Sequence, residues 1–346
     1  SFFKKLVETT GPSGYEASAQ AVWRERVGSS AESIKTDTLG NSIAALNPSG
    51  QPSVMIEAHI DEIGIIVKYI DDNGYIYFDP IGGLDPATLA GNRLRIMGTQ
   101  GPVDGVIGRA PIHVLKEEER KKMPELRNMW IDIGATDKAD AEKLVTAGDA
   151  GGRSAGLQRL QGNIVTSNSL DDRIGSYIIA EAFRSVAQRK PAAAVFAASA
   201  TQEEIGLRGA RVASFEINPL IGIAVDVTWT SDHPHASASE LGDIRVGKGP
   251  VLARGANTNP KVLRRLVDAA RAEGVAYQIE ADPRGTGTDE NVMQLNRSGM
   301  ATGLISVATR YLHTSSEVAS LDDIDGAVRL LARFVIDVQQ GIDLIP

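Results

Sequence analysis

The run Pro52-Ser-Val-Met-Ile-Glu-Ala-His59-Ile-Asp61 decides how the rest of the chain reads. It is a short apolar stretch of strand length, and it ends on a histidine and an aspartate two residues apart. Three further runs repeat the design. Residues 193–200 lead into Gln202-Glu203-Glu204, residues 221–227 carry Asp226 near their end, and residues 303–309 lead into Arg310-Tyr-Leu-His313. Apolar periodicity between these strands predicts helices over 172–189, with Ile174, Ile178, Ile179, Ala182, Phe183 and Val186 on one side, and over 260–273 and 321–339. Strands alternating with helices predict an α/β fold, a mostly parallel sheet covered by helices on both faces. In such sheets ligands bind beyond the carboxyl ends of the strands, where these polar residues fall.

Residues 63–161 break the alternation. Strands are expected at 65–70 and 75–78 around the turn Asp71-Asp72-Asn73-Gly74, and at 94–97 and 103–107 around a second glycine-rich turn. One helix is expected, over 138–147, and the charged run 116–122 reads as a solvated loop. These signals predict a small β-rich domain inserted into an α/β domain made of residues 1–62 and 162–346.

The chain has 346 residues, 42% hydrophobic and 23% charged, enough for a large core and more than one domain. A net charge of −8 with basic residues scattered among acids argues against nucleic acid, which needs a basic stripe. No apolar run approaches the ~20 residues of a membrane helix. Residues 1–14 lack the apolar centre of a signal peptide, and a first residue other than Met fits a trimmed chain. With 0 cysteines, thiolate ligands, cysteine nucleophiles and disulfides are excluded, and a cytoplasmic location is expected.

His59, Asp171, Glu204, Asp226 and His313 form a candidate ligand set for a dinuclear metal site. Two ions about 3.5–4 Å apart need a shared anionic bridge and terminal ligands, and mixed imidazole and carboxylate ligation suits zinc, cobalt or manganese. Each residue alone has an ordinary alternative: a buried structural histidine, a helix cap at Asp171-Asp172, a solvated Glu203-Glu204 pair, a loop around His313. Asp226 is the least ordinary, because a carboxylate in an apolar strand is costly unless paired or bound to metal. As a bridge, Asp171 lends one oxygen to each ion, while Asp172 and Arg173 hold the loop. Adjacent glutamates point in different directions, so Glu204 can ligate while Glu203 stays free as the base. Asp61 can accept the imidazole proton of His59 and fix its tautomer. His113 reads as structural.

Taken together, Gly11-Pro-Ser-Gly14, Asp37-Thr-Leu-Gly-Asn41, Ala58-His-Ile-Asp-Glu-Ile-Gly64, Leu170-Asp-Asp-Arg173, Thr201-Gln-Glu-Glu-Ile-Gly-Leu-Arg-Gly-Ala210, Val225-Asp-Val-Thr228 and Arg310-Tyr-Leu-His313 resemble the M42 metallo-aminopeptidases of the tetrahedral TET type over nearly the whole chain. The resemblance implies two divalent ions per subunit, one held by His59 and Asp226 and the other by Glu204 and His313, with Asp171 between them. It implies Glu203 as general base and acid, short peptides as substrates, a PDZ-like dimerisation domain in the insertion, and dimers that build a hollow dodecamer. Two segments depart from the family pattern. Trp229-Thr-Ser-Asp-His-Pro-His235 carries His233 and His235, and Thr288-Asp-Glu-Asn291 stands where Thr-Asp-Ala is usual.

Three other readings use the same residues. A related dinuclear carboxypeptidase or deacylase shares the constellation and differs in whether a free α-amine is required. Glycoside hydrolysis needs two carboxylates flanking a sugar instead of ions. A catalytically inactive assembly protein would keep the shell without metal or turnover.

Overall fold

The computed structural model describes residues 1–346 apart from the side chain of Glu119. Among the described residues, eight strands form the main sheet: β1 (Ser33–Thr36), β2 (Ser42–Leu46), β3 (Ser53–His59), β4 (Ala194–Ala200), β5 (Ile221–Thr228), β6 (Val251–Gly255), β7 (Gln278–Asp282) and β8 (Ala301–Ala308). Their order is β1-β2-β4-β3-β5-β8-β6-β7. The central strands β4, β3, β5 and β8 are mutually parallel. The flanks are not: β2 opposes β4, β1 opposes β2, and β6 opposes β8. The sheet is therefore mixed, where the alternating pattern predicts a mostly parallel one. The link between β1 and β2, residues 37–41, is of hairpin length and too short for the crossover that parallel neighbours require.

Helices α1 (Phe2–Val7), α2 (Ala17–Val27), α3 (Leu170–Ala187), α5 (Pro260–Ala272) and α6 (Leu321–Ile336) cover one face, sharing a core with Val54, Ile56, Ile223, Val225 and Ile305. On the other face α4 (Arg208–Ile217) and the short helix Glu290–Met293 pack against Met55, Ala224 and Leu304. Side chains alternate along a strand. With Val54, Ile56 and Ala58 turned to the first face, His59 shares the second face with Met55; with Ile223 and Val225 turned the same way, Asp226 goes with Ala224. The register pairs Ala224 with Glu57, so two residues further along each strand Asp226 and His59 come level.

Between β3 and β4 the chain forms a closed antiparallel barrel from Gly64–Ile70, Ile76–Ile81, Arg93–Gly98, Gly101–Arg109, Met129–Asp132 and Ala150–Arg153. It has its own core, including Val67, Phe78, Leu94, Ile96 and Ile131. The first hairpin turns at Asp71–Gly74, where the Asp71 carboxylate accepts from Asn73 N and Tyr75 N and Gly74 takes φ +87°.

Two local expectations change. The helix expected over 138–147 ends at Glu142, and Val145 beyond it joins Ala141 in the barrel core. The run 116–122 contains a one-turn helix, Glu117–Arg120, braced by an exposed Lys121–Glu117 pair. Among the described residues, no helix is long and apolar enough to cross a membrane.

Helix α3 buries twelve of its residues and touches all four parallel strands, so its core side chains carry much of the stability. Phe183→Ala removes a fully buried ring and should cost about 3–5 kcal/mol in urea unfolding; a loss under about 1 kcal/mol would contradict this packing.

Candidate metal centre

The carboxyl ends of β3, β4, β5 and β8 converge on one cavity lined by His59, Asp171, Glu203, Glu204, Asp226 and His313. All six residues singled out for metal binding or proton transfer there come together, and Asp61 lies just behind them. His59 Nε2 stands 3.3 Å from Asp171 Oδ1 and 3.9 Å from both Asp226 Oδ1 and Glu203 Oε2. His313 Nε2 stands 3.2 Å from Asp171 Oδ2 and 3.7 Å from Glu204 Oε2. Asp171 thus turns one oxygen towards each imidazole. The first turn of α3 is unwound to do this, since Asp171 and Asp172 both have non-helical backbone angles.

Asp61 faces His59 and does more besides. The Asp61 main-chain carbonyl lies 3.2 Å from His59 Nδ1 and its carboxylate 3.4 Å. The carboxylate also accepts from Glu203 N at 3.0 Å, Glu204 N at 3.2 Å and Ser13 Oγ at 2.6 Å. It therefore braces the turn after β4 that presents both glutamates. Gln202, which opens that turn, sits at φ +58°, a left-handed conformation costly for a residue with a Cβ.

A second brace was not visible as a functional residue in the sequence. Glu317, fully buried, accepts from Asp171 N at 3.1 Å through one oxygen and from His313 N at 3.0 Å through the other. His313 is left-handed at φ +62° and is held on its other sides by the barrel. Arg153 Nη1 donates to the His313 carbonyl at 2.8 Å, and the Gly83 carbonyl lies 3.2 Å from His313 Nδ1, which fixes the ring with Nε2 facing Asp171. A Cβ at Gly83 would come 3.1 Å from that nitrogen. Gly83 lies in an ordinary-looking Gly-Gly turn and Arg153 at a strand end, so neither carries a sequence signal.

Arg173 donates to the Leu6 carbonyl at 2.7 Å and faces Glu62 at 3.7 Å, tying the loop to α1 and the start of the insertion. Asp172 caps Gly175 N through one oxygen, while the other is buried without a hydrogen bond, and the residue clusters with His59 and Asp226. His233 packs against Tyr311 with ring centroids 5.7 Å apart and bonds to the neighbouring Pro234 carbonyl; neither it nor His235 lines the cavity. His113 is exposed on the barrel.

Against the effect of burial, the imidazoles of His313 and His59 hold the Asp171 carboxyl below the usual carboxylate range, while the other carboxylates of the cluster move up. Burial pushes the Glu203 carboxyl up to about 9 and that of Asp226 up to about 7, with nearby carboxylates adding to the shift. Burial and the charge of Asp171 also raise Glu204. Burial disfavours the imidazolium of His59, yet the charge of Glu203 and hydrogen bonding to Asp171 and Asp61 outweigh it and raise its pKa. Bonding to Asp171 is the main cause that raises His313 to about 9. The cluster draws in positive charge. Divalent cations fit it: the donors are imidazole nitrogens and carboxylate oxygens, His59, Asp171 and Glu204 have ligand atoms within 4.8 Å of one another, and the buried Oε1 of Glu204 has no hydrogen-bond partner.

An α/β core that presents paired imidazoles and clustered carboxylates beyond its parallel strands, with a barrel reaching back to one of them, is the layout of a metallopeptidase. Residues 40–330 match the family model of the M42 glutamyl aminopeptidases, and the chain belongs to that family, an aminopeptidase hydrolysing peptide bonds. It is 37% identical over 346 residues to the lysyl aminopeptidase of Pyrococcus furiosus, covering 99% of this chain and 98% of that one. Its fold superposes on a TET aminopeptidase from the marine sediment archaeon Thaumarchaeota archaeon SCGC AB-539-E09 with a TM-score of 0.92 at 30% identity, covering 98% of this chain and 96% of that one. The TET1 peptidase of Pyrococcus horikoshii, which assembles into a tetrahedron or a large octahedral shell, matches with a TM-score of 0.87 at 29% identity over 97% of this chain and 99% of that one.

Asp61→Ala strands the buried Glu203 N–H, the part-buried Glu204 N–H and the Ser13 hydroxyl. It should lower urea stability by about 1–3 kcal/mol per group left without a partner, with Asp61→Asn, which keeps one acceptor oxygen, costing less. Equal stability of Asp61→Ala and the unmodified protein would contradict the bracing role.

Proposed function

We propose that the cavity is a dinuclear metal centre that removes residues from the N-terminus of short peptides. The observation that supports this best is the division of Asp171, with one oxygen 3.3 Å from His59 and the other 3.2 Å from His313. In this reading His59 and Asp226 hold one ion, Glu204 and His313 hold the other, and Asp171 is shared. Zinc or cobalt suits the donor set, and manganese is the third fit.

When bound, such ions supply Lewis acidity, polarising the scissile carbonyl and lowering the pKa of water towards ~7. The chain's own residues do the rest. Glu203 accepts a proton from the attacking water and then delivers it to the leaving amine. Asp61 keeps the Glu203 and Glu204 backbones in place, so that one carboxylate stays available for proton transfer while its neighbour ligates. Glu317 holds Asp171 and His313 at a fixed separation through their backbone N–H groups.

We propose in addition that residues 63–161 form the inserted unit, PDZ-like by family resemblance, through which two chains pair, and that dimers build a dodecamer. The likeness to TET peptidases supports this, as do Ile112, Val114 and Met123, large apolar side chains exposed on the insertion.

Glu203→Gln keeps every proposed ligand and removes only the proton carrier. Its turnover of an unblocked peptide should fall at least 10²–10⁴-fold, with metal content unchanged by elemental analysis. The unmodified enzyme should cleave that peptide from its N-terminus and leave the N-acetylated twin intact. Activity of Glu203→Gln within tenfold of the unmodified enzyme would reject its role, and release from the carboxyl end would favour the carboxypeptidase reading.

A further inference from the structure

Glu57 and Asp289 take no part in the chemistry above, yet they bury two carboxyl groups in the core where both sense the charges of His59 and Asp226. Glu57 lies on β3 two residues before His59, so the two side chains leave the same face of the sheet. Its neighbours across the sheet, Ala198 on β4 and Ala224 on β5, are small and leave room beside it. Asp289 reaches Glu57 from the turn ahead of the short helix Glu290–Met293, and the two carboxyls hydrogen-bond to each other. Glu57 is 0% exposed and Asp289 3% exposed.

As carboxylates the pair offers four oxygens and no donor, and none of the four finds a donor elsewhere among the described residues. Contact between them therefore needs a shared proton. Burial favours this, pushing the Glu57 carboxyl up to about 8 and raising that of Asp289 well above the usual range. For stability alone two apolar side chains would fill the site as well. A hydrogen bond adds a fixed separation and direction. What it fixes adjoins the reacting centre: Thr286, Gly287 and Thr288, immediately before Asp289, line the cavity together with Asp226 and Glu203. These three residues make a tight turn, with Thr288 N donating to the Thr286 carbonyl at 2.7 Å and the two hydroxyls 2.9 Å apart. Beyond Asp289 the fully buried Glu290 accepts from the Thr258 hydroxyl at 3.1 Å, and Asn291 accepts from Asn257 at 3.1 Å. Of these three ties, the one from Asp289 to Glu57 reaches a strand that carries a proposed ligand.

We propose that the Glu57–Asp289 pair is a positioning contact that locks the Thr286–Thr288 turn against β3 and so holds one wall of the cavity in place beside His59. The pair touches neither substrate nor metal and acts through the wall. Substrate binding depends on it, whereas metal binding and the chemical step do not. The kinetic consequence rests on the aminopeptidase reading of the centre.

The test compares the unmodified metal-loaded enzyme with two double variants. Glu57→Gln with Asp289→Asn keeps a hydrogen bond between the two side chains, and Glu57→Met with Asp289→Ala removes the contact without stranding a charge. Thermal melting checks folding, elemental analysis reads metal content, and amide hydrogen exchange reads residues 286–288. In the apolar double variant KM for an unblocked peptide should rise about tenfold with kcat held within about threefold, exchange at 286–288 should quicken, and metal content should stay the same. The amide double variant should match the unmodified enzyme in all of these. Unchanged KM and exchange in the apolar double variant overturn the proposal. So does a loss of metal or of kcat at unchanged KM, which would assign the pair to the ligands instead of the wall. If the apolar double variant does not fold, Glu57→Ala, which breaks the same contact and leaves room for water beside Asp289, takes its place with the same expected results. If the unmodified enzyme cleaves no peptide, the aminopeptidase reading fails, and exchange at 286–288 alone decides whether the pair holds the wall.

Discussion

Carboxylates buried beside one another raise the free energy of the folded chain unless positive charge is supplied to them. At the carboxyl ends of the parallel strands Asp171, Glu203, Glu204 and Asp226 crowd around the imidazoles of His59 and His313. The pKa directions of these groups describe a site short of cations. Everything around it holds that arrangement open. The strand register brings His59 and Asp226 level, Asp61 pins the turn bearing both glutamates, and Glu317 spans the backbones of Asp171 and His313. Left-handed conformations at Gln202, Tyr311 and His313 mark where the chain is held away from its relaxed shape.

The barrel takes part in this constraint. Gly83 fixes the ring of His313 and Arg153 holds its carbonyl, so a histidine carried by the loop after β8 is oriented by a part of the chain more than a hundred residues earlier. The insertion thereby helps set the geometry of the cavity at the strand ends. β7 also contributes to the lining of the cavity, through Glu280 and Asp282.

How much of this was legible in the sequence follows from how local each signal is. Apolar runs ending on polar residues exposed β3, β4, β5 and β8 and the groups they deliver, and Asp226 declared itself by lying in an apolar strand. The barrel hairpin announced itself through Asp71–Gly74. Glu317 and Arg153 were silent because their meaning lies in contacts far along the chain; Glu317 bonds to Asp171 across 146 positions. The reversal of β6 against β8 was equally hidden, since periodicity reports burial and not direction. Asp61 is legible through its closeness to His59, but the bonds of its carboxylate to the backbone of Glu203 and Glu204 follow from no spacing rule.

The central claim is that this carboxylate cluster is completed by a pair of cations. Calorimetric titration of zinc or cobalt into chelator-stripped protein, with elemental analysis of the saturated sample, tests it most directly. Two ions bound per chain, accompanied by proton release as ligands are deprotonated, is the predicted result. Saturation at one ion or none, with the fold intact, would contradict it.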